Sequence, residues 1–97
     1  MSHSSPDALR DQIQQAALAL IEAGAREVYL FGSAATGTSR EGSDVDLAVA
    51  GLPPEHFFRA MGRVGDILAH PFDLIDLDEE TPFVHYLKEE RELVRIA

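Results

Sequence analysis

The chain contains 97 residues, 45% of them hydrophobic and none of them cysteine. This length suits one domain with a modest core, and the lack of thiols excludes disulfides, thiolate metal sites and cysteine nucleophiles. Its 17 acidic and 8 basic residues give a formal net charge of −9. A long nucleic acid is therefore a poor partner, because its binding depends largely on cationic side chains. A basic protein or divalent cations suit this charge better.

We expect a single domain over residues 1–97, with the short, polar residues 1–4 disordered. The N-terminal stretch does not combine positive charge with a long apolar run. No apolar run approaches the roughly 20 residues needed to cross a bilayer. The sequence therefore predicts a soluble, cytoplasmic protein without a membrane partner.

The first predicted element is an amphipathic helix. Ser5 and Pro6 are typical of a helix start, since an N-cap is followed by proline at the first helical position. Apolar residues then recur at helical spacing from Leu9 to Ile21. Gly24 is expected to end this helix.

Two strands are predicted next, "EVYLF" over Glu27–Phe31 and "DVDLAVA" over Asp44–Ala50. Side chains alternate between the two faces of a strand. The second strand therefore presents two different faces: Val45, Leu47 and Val49 on one, and Asp44, Asp46 and Ala48 on the other.

Further helices and strands are expected after a turn at Gly51–Pro54. In chain order they are a helix, a strand, a short helix and a closing strand: Glu55–Ala69, Phe72–Leu77, Thr81–Glu90 and Glu92–Ile96. The Phe57-Phe58 pair is interpreted as part of the apolar face of the first of these helices, with a partner-binding patch as the alternative if one ring is exposed. Strands alternating with helices predict an α/β fold with a small sheet.

Two carboxylates are predicted to lie side by side on the second strand. Asp44 and Asp46 are two residues apart, so their Cα atoms are about 6.6 Å apart and their side chains share a face. Adjacent anions repel each other unless a cation lies between them. Mg²⁺ prefers hard oxygen ligands and is commonly held by one or two carboxylates plus substrate phosphates. This pattern therefore predicts a magnesium site.

A glycine-serine turn precedes that strand. Gly32 allows the backbone to approach a ligand closely, and a short helical turn opened by Ser33 would offer N–H groups and a hydroxyl to a phosphate. Arg40 is either a further phosphate contact or an exposed loop cation. Ser43 either caps the turn or orients Asp44. The candidate nucleotide-binding residues are therefore Gly32, Ser33, Arg40 and Ser43.

A third carboxylate is expected from the strand "FDLIDL". Asp73 and Asp76 are three residues apart, so a regular strand sends them to opposite faces. If helices cover the face of Phe72 and Leu74, Asp73 points to the open face with Asp44 and Asp46, and we choose it over Asp76. Such a carboxylate can help hold a metal and accept the proton of an attacking hydroxyl. The arrangement predicts nucleotidyl transfer, with pyrophosphate as the leaving group.

Gly32-Ser33, ten intervening residues and Asp44-Val45-Asp46 together resemble the signature of the polymerase-β-like nucleotidyltransferase superfamily. Within it, the chain is most similar to the minimal nucleotidyltransferases, the antitoxin partners of HEPN-domain proteins. The resemblance also includes "PFDLIDL" and "TPFVHYLKEERELVRI", and so covers most of residues 25–96.

The resemblance implies a single minimal nucleotidyltransferase domain, built as a small mixed sheet flanked by helices. It implies that Mg²⁺ is held by Asp44, Asp46 and Asp73, which are also the catalytic residues. It further implies transfer of AMP from ATP to a tyrosine hydroxyl of a cognate HEPN RNase toxin, in a hetero-oligomer. The alternatives are a non-catalytic antitoxin that masks its partner, or nucleotidyl transfer to a small hydroxylated molecule.

Overall fold

The computed structural model describes residues 6–32, 45–68, 71–89 and 93–97. Within these ranges the chain forms three helices and four strands. In chain order they are α1 (Pro6–Glu22), β1 (Glu27–Phe31), β2 (Val45–Ala50), α2 (Pro54–Leu68), β3 (Phe72–Asp76), α3 (Pro82–Glu89) and β4 (Val94–Arg95). The predicted elements are confirmed in type and order, and their ends differ from the predicted ones by two residues or fewer. No helix in these ranges has both the length and the apolar content of a membrane span.

The four strands form one mixed sheet in the order β3-β2-β1-β4. β1 pairs antiparallel with both β2 and β4, whereas β2 and β3 are parallel. The parallel pair is joined through α2, because parallel neighbours need a crossover connection. The predicted small mixed sheet flanked by helices is thus confirmed.

The larger core lies between one face of the sheet and helices α1 and α2. Side chains of β2 that alternate along the strand enter it, and Leu74 joins them from β3. The helices contribute small and branched residues at helical spacing. Its fully buried members include Leu20, Val28, Val45, Leu47, Val49, Val64 and Leu68.

The opposite face of the sheet is partly covered by α3. Val84 and Leu87 of this helix are buried against Phe31 and Ala48, which lie on β1 and β2. The prediction that this face is open is therefore wrong for the part beneath α3. The helix is fixed at its start by a hydrogen bond in which the Val84 N–H donates to the Thr81 hydroxyl at 3.2 Å.

The Phe57-Phe58 interpretation is wrong for one of the two rings. Phe57 packs against the larger core, but Phe58 is 80% exposed. The buried positions of α2 are Ala60, Val64 and Leu68, which are four residues apart. Phe58 precedes Ala60 by two residues, so it lies about 200° away around the helix and faces solvent.

A polar contact near the edge of the sheet raises the pKa of one tyrosine. The Tyr29 hydroxyl donates a hydrogen bond to Glu27 Oε1 at 2.8 Å, and Arg95 lies 3.6 Å from Glu27 Oε2. The pKa of Tyr29 is raised above its ordinary value, first by this hydrogen bond, then by burial and by the carboxylate charge. Folding therefore favours the neutral phenol.

Tyr29→Phe should lower the free energy of unfolding by about 0.5–1 kcal/mol at neutral pH, because it removes this hydrogen bond from a half-exposed position. The folded pKa lies above the unfolded value of about 10, so the contribution is complete below pH 10 and is lost as the pH rises through the folded pKa. Urea unfolding of both proteins across this range should show the two stabilities converging. A difference that stays constant into strong alkali would contradict the assignment.

Candidate functional site

Two carboxylates from neighbouring strands lie opposite each other at one end of the sheet. Asp46 of β2 and Asp73 of β3 are register partners in the parallel ladder. Partners of this kind have Cα atoms about 4.8 Å apart and side chains on the same face. Asp46 is half-buried and Asp73 is exposed. The structure therefore brings together two of the three predicted carboxylates.

The pair lies on the same face of the sheet as α3. Asp46 precedes Ala48 by two residues and so shares its face, and Ala48 is buried beneath α3. Along β3, Asp73 shares a face with Ile75, which also packs into this smaller core. The site is thus bounded on one side by an apolar cluster and is open to solvent at Asp73.

Asp76 occupies a different environment, although it lies on the same strand as Asp73. Its register partner is Val49, a residue of the larger core. Its Oδ1 accepts a hydrogen bond from the Asp78 N–H at 2.9 Å, which closes the turn after β3. Asp76 therefore stabilises the turn that follows β3, at the end of the strand away from Asp73.

Gly32 lies directly against the carboxylate of Asp46. It follows the last residue of β1, Phe31, which is the register partner of Asp46. Its φ is +67°, a conformation that side chains other than glycine rarely adopt. A Cβ at this position would come within 2.6 Å of Asp46 Oδ2. The Asp46 carboxylate fills the space that a side chain at position 32 would need. This is a reason for glycine that the sequence did not reveal.

An aromatic pair lies beside the carboxylates and was not among the predicted site residues. The ring of Phe31 is nearly buried and meets the ring of Phe83 edge to face, with centroids 6.0 Å apart and an interplanar angle of 67°. Phe83 stands in the first turn of α3 and is 48% exposed. Its contact with Phe31 joins two elements that are distant in the chain, so no local sequence pattern indicated it.

Four of the predicted site residues lie outside the described ranges: Ser33, Arg40, Ser43 and Asp44. Within those ranges, no group of three or more His, Cys, Asp or Glu side chains is arranged to hold a metal ion. The donor set in the described ranges consists of Asp46 and Asp73. Two carboxylates in register offer hard oxygen atoms only, which fits Mg²⁺ and does not suit a metal that prefers sulfur or nitrogen.

The sequence also matches the model of a known family. Residues 8–95 match a family model described as polymerase beta, nucleotidyltransferase. The matched range includes Gly32, Asp46 and Asp73, and it covers every helix and strand described here at least in part. Among curated proteins, none matches the sequence significantly.

Several solved structures have a similar fold. One described as a minimal nucleotidyltransferase is 28% identical, with a TM-score of 0.75 and coverage of 97% of this chain and 98% of that chain. A toxin–antitoxin structure with AMP-PNP is 23% identical, with a TM-score of 0.65 and coverage of 88% and 69%. The tri-AMPylated HEPN toxin of Shewanella oneidensis in complex with MNT antitoxin gives 22% identity, a TM-score of 0.50 and coverage of 92% and 62%. At these lower identities, the last two similarities show a shared fold.

Proposed function

Because the chain belongs to the polymerase β nucleotidyltransferase family, we propose that it is a Mg²⁺-dependent enzyme that transfers AMP from ATP to a hydroxyl group. The acceptor in this proposal is a tyrosine of a cognate HEPN-family RNase toxin, and the protein is its antitoxin. The observation that carries the proposal is the register of Asp46 and Asp73, with Gly32 against the Asp46 carboxylate.

The proposed metal ligands are Asp46 and Asp73, together with Asp44. When bound, Mg²⁺ would neutralise charge on the phosphate oxygens of the nucleotide. Gly32 and Ser33, with Arg40 and Ser43, are proposed to bind the triphosphate.

Asp73 is proposed to act as the general base, because its carboxylate is exposed and can reach a hydroxyl presented from outside. In the proposed reaction, the acceptor oxygen forms a bond to the α-phosphorus while the bond from that phosphorus to the pyrophosphate oxygen breaks. The acceptor proton passes to the Asp73 carboxylate. The half-buried Asp46 lies on a paired strand and its carboxylate occupies the space beside Gly32, so it contributes a fixed position to this chemistry.

A protein acceptor is supported by charge and by the similar structures. The formal net charge of −9 favours association with a basic protein such as an RNA-binding toxin. Two of the similar structures contain toxin–antitoxin pairs, one with AMP-PNP and one with an AMPylated HEPN toxin. We therefore propose a hetero-oligomer with a HEPN-family protein in the cytoplasm, without direct binding to nucleic acid or membrane.

The test is a transfer assay with the full chain, Mg²⁺, ATP and the HEPN-family product of the neighbouring reading frame. Intact-mass and peptide mass spectrometry should find AMP on a tyrosine of the partner. Asp46→Asn should remove the adduct while thermal unfolding shows an intact fold. A stable complex that silences the partner without any adduct would support the masking antitoxin instead. Labelling of a small hydroxylated molecule in place of the partner would support the other alternative.

A further inference from the structure

One ring of the aromatic pair next to the carboxylates is about half exposed. Val84 and Leu87 anchor α3 on the sheet, since both are buried. Phe83 contacts Phe31 and still leaves 48% of its surface exposed. About half of this residue is therefore available for contact with a ligand.

The exposed ring is held in a defined place. Its neighbour Phe31 is only 7% exposed and is fixed by the pairing of β1 with β2. The first turn of α3 is capped by Thr81, so the backbone that carries Phe83 is ordered as well. An aromatic ring held in this way is preorganised to contact another flat ring.

The position of Phe83 relative to the strands associates it with the proposed nucleotide site and not with the proposed acceptor site. In the sheet order, β2 has β3 on one side and β1 on the other. Asp73, the proposed base for the acceptor, lies on the β3 side of Asp46. Phe31 and Gly32 lie on the β1 side, where the triphosphate is proposed to bind. Phe83 rests on Phe31 and so belongs to the nucleotide side.

We propose that Phe83, supported by Phe31, is the platform on which the base of the nucleoside triphosphate stacks. This inference rests on the proposed function and adds a binding residue to it. Stacking on an aromatic side chain contributes affinity that depends little on which base is bound. Phe83 therefore binds the nucleoside half of the substrate, while Gly32 and the carboxylates bind the phosphate half.

The experiment compares two ligands that differ in the nucleoside, ATP and inorganic tripolyphosphate, each titrated calorimetrically into the full chain in Mg²⁺. Wild-type protein should bind ATP more tightly than tripolyphosphate. Phe83→Ala should weaken ATP binding by roughly 5- to 150-fold, the usual effect of losing one base-stacking side chain, and leave tripolyphosphate unchanged. Phe83→Trp should retain ATP binding, whereas Phe83→Leu, which is apolar but not flat, should behave like alanine.

Phe58→Ala is the matched control, since it removes an exposed phenylalanine from α2, away from this site. It should change neither affinity. The inference is overturned if Phe83→Ala weakens both ligands equally, if it weakens neither, or if wild-type protein gains nothing from the nucleoside. If the proposed function is wrong, Asp46→Asn should leave the affinities for ATP and for tripolyphosphate unchanged. This result distinguishes that failure from a failure of the inference about Phe83. Wild-type protein that binds neither ligand would overturn both.

Discussion

Asp73→Asn should lower the rate of AMP transfer by roughly 100- to 10,000-fold, the range expected when a general base is removed. The amide keeps the shape of the side chain and cannot take the proton of the acceptor. Asp76→Asn, three residues further along the same strand, should leave the rate within about twofold of wild type. The reason is register, since Asp73 lies opposite Asp46 and Asp76 lies opposite Val49.

The two substitutions are closely matched as structural changes. In Asp76→Asn the side-chain oxygen can still accept the hydrogen bond from the Asp78 N–H, so the turn after β3 is preserved. Thermal unfolding of both variants should confirm that neither loses its fold. A large loss of transfer in Asp76→Asn with normal activity in Asp73→Asn would show that the third carboxylate has been misassigned.

Gly32→Ala should both destabilise the protein and impair transfer. The new Cβ would lie within 2.6 Å of Asp46 Oδ2, on a backbone with φ of +67°. Holding alanine in that conformation costs about 1–3 kcal/mol, and moving the carboxylate by an ångström costs about 100-fold in rate. Denaturant unfolding measures the first effect, and the AMP-transfer assay measures the second.

Gly62→Ala is the control for this substitution, and it should act in the opposite direction on stability. A Cβ at Gly62 would meet nothing within 4 Å among the described residues, and the position lies inside α2. Alanine is therefore expected to raise the free energy of unfolding by up to about 1 kcal/mol through helix propensity, without any effect on transfer. Full activity in Gly32→Ala would mean that the Asp46 carboxylate can be displaced without consequence for the chemistry.

Much of the architecture was predictable because it depends on local patterns. The alternation in "DVDLAVA" assigned the two faces of β2, and the same argument placed Asp73 rather than Asp76 on the face of Asp46. The chemical roles of these carboxylates are still predictions. Register between strands that are distant in the chain is set by the crossover through α2, which no local pattern encodes.

The wrong predictions concern how helices pack on the sheet, which local sequence patterns do not determine. The sequence of α3 shows an apolar stripe but does not state which face of the sheet it covers, so the covered part of the second face was missed. The two neighbouring rings of α2 point about 100° apart on a helix, and only Phe57 could follow the buried stripe. Phe83 was overlooked for the same reason, since its contact with Phe31 joins residues 52 positions apart.

The place of β3 at the border of the sheet has a consequence for how the acceptor is chosen. No described strand lies beyond it, and Asp73 is exposed at this border of the sheet. An exposed carboxylate by itself does not select a small substrate by its shape. In the proposed reaction, the acceptor is then selected by the docking of two proteins, and grafting the partner's contact surface onto an unrelated tyrosine-bearing protein should redirect the modification to it.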